Sequence, residues 1–199
     1  MRFDGNLNVD LNEITMNLVP YPKLHFLASS ISPLVMPKDV HLPPRRFDQM
    51  FTDAFSKDCQ LMKCDPKHNK YLACGLMVRG NAQISDINRN ISRLKGELDM
   101  IYWNQEGFKV GLCNVPAVNQ PYSLLCLANT CCMIDTFEDM RQRFEKLYFK
   151  KLYTHHFLQY MESSVFEESM NSMNEIIDEY KELQIAKASK NVPRFIPKY

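Results

Sequence analysis

Two carboxylates near the start of the chain have a type and spacing that could do chemistry. Asp10 and Glu13 stand three residues apart, in a run that opens on the turn-forming Asp4-Gly5-Asn6 and continues through Leu11, Ile14 and Leu18 at helical steps. On a helix that spacing puts both side chains on one face. Acidic residues are also favoured in a first helical turn by the helix dipole and by capping, so on spacing alone the structural reading of the pair is preferred. His155 and His156 form the other titratable pair. Adjacent helical residues point about 100° apart and cannot share a metal as an i, i+4 pair does, so they read as surface or core-edge histidines and no metal site is expected.

Other chemistry is excluded by what the sequence lacks. Its six glycines form no G-x-x-x-x-G-K-[ST] or G-x-G-x-x-G cluster, so no backbone cradle for a polyphosphate is visible. There is no G-x-S-x-G and no H-E-x-x-H. The seven cysteines are odd in number and contain no C-x-x-C, which reads as reduced, mostly buried thiols. With 24 basic and 23 acidic residues, no strong field favours nucleic acid or an anionic membrane. No apolar run approaches spanning length and the amino terminus lacks a signal-peptide layout. A cytoplasmic setting is expected, with no nucleic-acid or membrane partner.

The elements that must position the carboxylates follow from the pattern. A short helix around Leu11 to Leu18 is closed by Pro20 and Pro22, and a strand is expected over 23–30. Pro33, Pro37, Pro43 and Pro44 make 31–46 a long exposed loop. Phe47, Met50, Phe51, Ala54 and Phe55 predict an amphipathic helix, and the nearly unbroken apolar run over 71–78 predicts a strand covered on both faces. Ser85 is read as the N-cap of a helix carrying Ile87, Ile91, Leu94 and Leu98. Further strands are expected over 100–103, 108–113 and 123–128. From Thr136 two long helices follow, the second announced by a capping box of Ser164 and Glu167, and they are expected to pair antiparallel. The fold class is α+β, a layered sheet-and-helix domain over 1–133 with a C-terminal helical hairpin over 134–185. A disordered basic tail is expected over 186–199.

One family shares these residues in order. Arg2-Phe3-Asp4-Gly5, Leu7-Asn8-Val9-Asp10-Leu11, Asn17-Leu18-Val19-Pro20-Tyr21-Pro22 and Leu24-His25-Phe26 resemble the start of the second half of tubulins. The resemblance continues through Cys64-Asp65-Pro66-Lys67-His68, the helix over 143–151, and Phe166-Glu167-Glu168-Ser169-Met170-Asn171-Ser172-Met173-Asn174, and spans about residues 2–184. Pro43-Pro44-Arg45-Arg46, Leu76-Met77-Val78-Arg79-Gly80-Asn81 and Trp103-Asn104-Gln105-Glu106-Gly107 are similar to the divergent epsilon branch and not to the lattice-forming types.

The resemblance implies specific roles. The contact loop Gly5, Asn6, Leu7 and Asn8 and the helix after it belong to the longitudinal face, which in tubulins meets the nucleotide of a neighbouring subunit. Glu13 occupies the place of the acidic residue that positions the attacking water, and Asp10 assists. Pro43, Pro44, Arg45 and Arg46 belong to a lateral-type loop, shorter than in lattice tubulins. The glycine-rich nucleotide-binding half is missing from these residues, so GTP is a ligand of the full-length family and no cofactor is expected on this chain alone. No autonomous enzyme activity is expected, since the GTPase belongs to complete tubulin assemblies. Other tubulins and centriolar or microtubule proteins are the implied partners, and cytoskeleton, centrosome, centriole or basal body the implied location. Two other roles stay open: a subunit that completes a GTPase in trans, and a free-standing α+β ligand-binding module.

Overall fold

The computed structural model describes residues 3, 5, 7–35, 43, 45–66 and 68–187. The elements run α1 (Leu11–Leu18), β1 (Ala28–Ser32), α2 (Phe47–Ala54), a 3-10 turn (Lys57–Cys59), β2 (Tyr71–Arg79), α3 (Ile84–Glu97), β3 (Phe108–Cys113), β4 (Ser123–Thr130), α4 (Met133–Phe149), α5 (Thr154–Phe157) and α6 (Ser164–Ile185). This is the α+β class expected, and it contains one mixed four-stranded sheet in the order β1-β4-β2-β3. β4 is antiparallel to both of its neighbours, while β2 and β3 run parallel with α3 as the crossover between them.

Alternation along β2 assigns the two faces of the sheet. Cys74, Leu76 and Val78 point to a core shared with Met50, Phe51 and Ala54 of α2 and Ile87, Ile91 and Leu94 of α3. Gly75, between them, points the other way, where a Cβ would sit 3.1 Å from Leu18 Cδ1. The missing side chain lets α1 approach the sheet closely at that point. β2 is buried over its whole length except Arg79, which explains why its apolar run shows no alternation.

A second core joins the sheet to the terminal helices through Leu24, Ala28, Leu72, Cys131, Cys132, Phe137, Ile177 and Tyr180, among others. The helices run antiparallel. Tyr148 near the end of α4 meets Phe166 near the start of α6 with ring centroids 5.6 Å apart, while Glu138 near the start of α4 pairs with Lys181 near the end of α6.

Several local expectations shift. The strand expected over 23–30 begins at Ala28, because Leu24 is held in a turn by its N–H to Tyr21 O at 3.0 Å and pairing with β4 starts only at Ala28↔Ala128. Residues 100–103 form no strand; Met100 makes a single bridge to Tyr71 and the chain then turns, leaving Tyr102 and Trp103 exposed. Gln83, not Ser85, is the N-cap of α3, and Ser164 is the first residue of α6 with Ser163 as its cap and no side-chain cap hydrogen bond. The short helix α5 carries no periodicity long enough to announce it. Residues 188–199, most of the tail assigned to 186–199, lie outside the described residues.

At both sheet edges the chain returns for a brief pairing. Leu7 bridges Leu112 on β3, and Gln60 bridges Ser30 on β1.

Candidate functional site

Two residues of the segment expected as a contact loop, Gly5 and Leu7, lie against the outer edge of β3. Leu7 N–H donates to Leu112 O at 3.4 Å and Leu112 N–H returns to Leu7 O at 2.9 Å. Gly5 lies so near the strand that a Cβ would fall 1.9 Å from Leu112 O, closer than any side chain allows. Asn8 turns its Oδ1 onto the Val9 N–H at 3.1 Å, and Val9 is buried. Asn6 lies outside the described residues.

Asp10 is the N-cap of α1 in extended conformation, with φ −87° and ψ 161°. Its carbonyl accepts the Ile14 N–H at 3.1 Å, while its exposed side chain makes no cap hydrogen bond. The residue therefore precedes the helix, and no contact joins its carboxylate to that of Glu13. Glu13 sits in the first turn, and its Oε2 lies 3.2 Å from Lys109 Nζ on β3. That oxygen is shielded from solvent without a hydrogen bond, so the ammonium approaches off the hydrogen-bonding direction and the contact is ionic. The Glu13 side chain as a whole is 47% exposed.

The other end of α1 is fixed as firmly. Asn129, fully buried on β4, donates from Nδ2 to Leu18 O at 2.9 Å and to Leu24 O at 2.7 Å, and Tyr180 OH of α6 donates to Asn129 Oδ1 at 3.4 Å. One amide thus holds the last carbonyl of α1, one of the groups a helix end leaves unpaired. Of the stripe Leu11, Ile14 and Leu18, only Leu18 is fully buried; Leu11 in the first turn is 82% exposed, as is Met16. Beside α1, Val9, Leu11, Ile14, Ile31, Met77 and Leu127 contribute to the wall of an apolar cavity of about 580 Å³.

The residues expected as a lateral-type loop lie on the other side of the sheet. Arg46 is the N-cap of α2 and Arg45 Nε stands 3.8 Å from Asp53 Oδ2; Pro43 is exposed and Pro44 is outside the described residues. Because α2 packs on the face opposite α1, the structure does not bring these residues to the carboxylates. His155 and His156 are exposed, and among the described residues no three potential ligands gather around a metal position.

Sequence reasoning found Asp10 and Glu13 but missed Lys109 and Asn129. A lysine in a strand and an asparagine at a strand's end carry no local pattern; only the pairing of β3 and β4 with β2 brings them to α1.

The residues that hold this site match a known domain. The family model of the tubulin C-terminal domain covers residues 22–142. The chain belongs to the tubulin family. It is 57% identical over 194 residues to the tubulin epsilon chain of Homo sapiens and 56% identical over 194 residues to that of Mus musculus, in each case across 96% of this chain and 40% of the relative. It is 32% identical over 195 residues to the tubulin alpha-6 chain of Naegleria pringsheimi, across 92% of this chain and 43% of the relative. The chain thus spans about two fifths of the length of the curated tubulins it matches. Tubulins are cytoskeletal, microtubule-forming proteins that bind GTP at full length. These residues contain no glycine-rich phosphate-binding motif, and the two glycines with the closest backbone neighbours, Gly5 and Gly80, face Leu112 O and Pro121 O.

Proposed function

We propose that α1 and the segment leading into it form a contact surface for another tubulin subunit, and that Glu13 orients the water that attacks the terminal phosphate of the nucleotide held by that neighbour. The observation that carries this reading is the anchoring of α1 at both ends, to β3 through Leu7 and Leu112 and to β4 through Asn129, with a half-exposed carboxylate between. A helix so fixed gains little by further ordering on contact, and a carboxylate on it can accept from a water in a set direction. Asp10, exposed at the N-cap, adds negative charge at the rim of the surface. The catalytic role is therefore one of completion, exercised on a neighbour's GTP.

Mixing the chain with GTP-loaded tubulin under single-turnover conditions tests this directly. Phosphate release should accelerate with the wild-type chain, and Glu13→Gln should slow it by ~10-fold or more while leaving binding intact. An unchanged rate with Glu13→Gln removes the catalytic role, and failure to bind tubulin removes the contact surface. The same reading places the chain in the cytoplasm with the cytoskeleton and, through its epsilon relatives, at centrioles and basal bodies with centriolar proteins as partners.

The ligand-binding reading has one observation in its favour, the cavity of about 580 Å³ beside α1. Its lining is mostly apolar, as in small-molecule sites, and an apolar ligand there would slow alkylation of Cys113, one of the lining residues.

A further inference from the structure

The two oxygens of the Glu13 carboxylate are in different surroundings. Oε2 is turned inward, cut off from solvent and without a hydrogen bond, and its counter-charge is Lys109 Nζ at 3.2 Å. Oε1 is not so enclosed, no hydrogen bond engages it among the described residues, and the side chain it terminates is about half exposed. A carboxylate free to rotate would not hold such an arrangement. Removing one anionic oxygen from water is unfavourable unless a cation compensates it, and the single ammonium on β3 supplies that compensation.

We propose that Lys109 is a positioning residue for Glu13: by binding Oε2 it fixes the carboxylate's rotation and leaves Oε1 as the one acceptor facing outward. The inference rests on the reading of Glu13 given above and names what sets its direction. Lys109 is suited to the task by its place in the fold. It stands on β3, in register with Gly75 of β2, on the same face of the sheet that α1 covers. β3 is also the strand that carries Leu112, the anchor of the segment leading into α1. One strand therefore sets both the position of the helix and the orientation of its carboxylate, and strands hold such geometry better than loops. Without the ammonium, Oε2 would be an uncompensated buried anion, and the carboxylate would swing to solvent, which removes the fixed outward acceptor.

The test compares single-turnover phosphate release from GTP-loaded tubulin with the wild-type chain, Lys109→Gln, Lys109→Met, Lys109→Arg, Glu13→Gln and the double variant Lys109→Gln/Glu13→Gln. Lys109→Gln and Lys109→Met, the second keeping the apolar stem, should each slow release about tenfold to a hundredfold with binding of the loaded tubulin unchanged. Lys109→Arg should restore most of the rate, because it returns the charge. In the Glu13→Gln background Lys109→Gln should have no further effect, since the two act as one unit. If both neutral variants turn over at the wild-type rate while Glu13→Gln is slow, Lys109 has no positioning role and that of Glu13 stands. Multiplicative losses in the double variant overturn the inference in the same way. A wild-type rate with Glu13→Gln alone removes the underlying reading instead.

Discussion

On the side of the sheet that carries Cys74, Leu76 and Val78, α2 and α3 complete a core whose buried members are at most 8% exposed. On the side that carries Gly75, Met77 and Arg79, α6 covers one part through Tyr180 and Asn129, while α1 leaves Leu11 and Met16 at 82% with a cavity beside Leu11. The first face is finished by the residues of this chain, while the second offers apolar side chains and a carboxylate outward. The contact surface proposed above thus lies on the side opposite the α2 and α3 core, and β2 belongs to both. The practical lesson is that a change in the first core should act on folding, while a change on the second side should act on the contact or on the chemistry proposed for Glu13.

The largest effect expected in the two buried cores comes from alkali. Burial pushes the Cys126 thiol up to about 12 and the Cys131 thiol up to about 11, and raises that of Cys74 as well, from ordinary values near 9. Once unfolded, these thiols ionise from about pH 9, whereas the folded chain keeps them protonated. The stability they contribute is whole below pH 9 and is lost as the pH rises through 11 to 12. Melts followed by circular dichroism between pH 8 and pH 12 should show it, and an unchanged midpoint up to pH 11 would sink the assignment. Next in size is Leu76→Ala, which empties a fully buried site and should cost ~3 kcal/mol in a urea titration. Smallest is Gly5→Ala on the other side. Its Cβ must push the leading segment off Leu112, with a loss of ~1–2 kcal/mol that is local. Hydrogen exchange at the Leu7 and Leu112 amides should quicken while the global melt hardly moves; a matching drop in the melt would erase the distinction between the faces.

How much of this could be read beforehand varied with how local the cause was. β2 was legible because a doubly covered strand writes itself as a continuous apolar run, β3 as a short strand-like run, and α2 because prolines precede an amphipathic stripe. The stretch 100–103 misled because its apolar residues serve a single bridge and an exposed aromatic turn, where Trp103 packs edge-on to Tyr21 with centroids 6.2 Å apart. At the site, the acidic pair could be seen in one helical window. What decides their difference could not: Asp10 is a cap because α1 begins at Leu11, and Glu13 is clamped because β3 presents Lys109 beside it.

The brief pairings at the sheet's margins bear on how this chain can join a larger assembly. Gln60 occupies the ladder beside β1 and Leu7 that beside β3, so another molecule's strand would have to displace one of them before it could dock. Edge protection of this kind guards against uncontrolled strand-to-strand growth. Strand-to-strand joining at either of these points would begin by breaking a bond the chain makes with itself, so the sheet margins resist it locally.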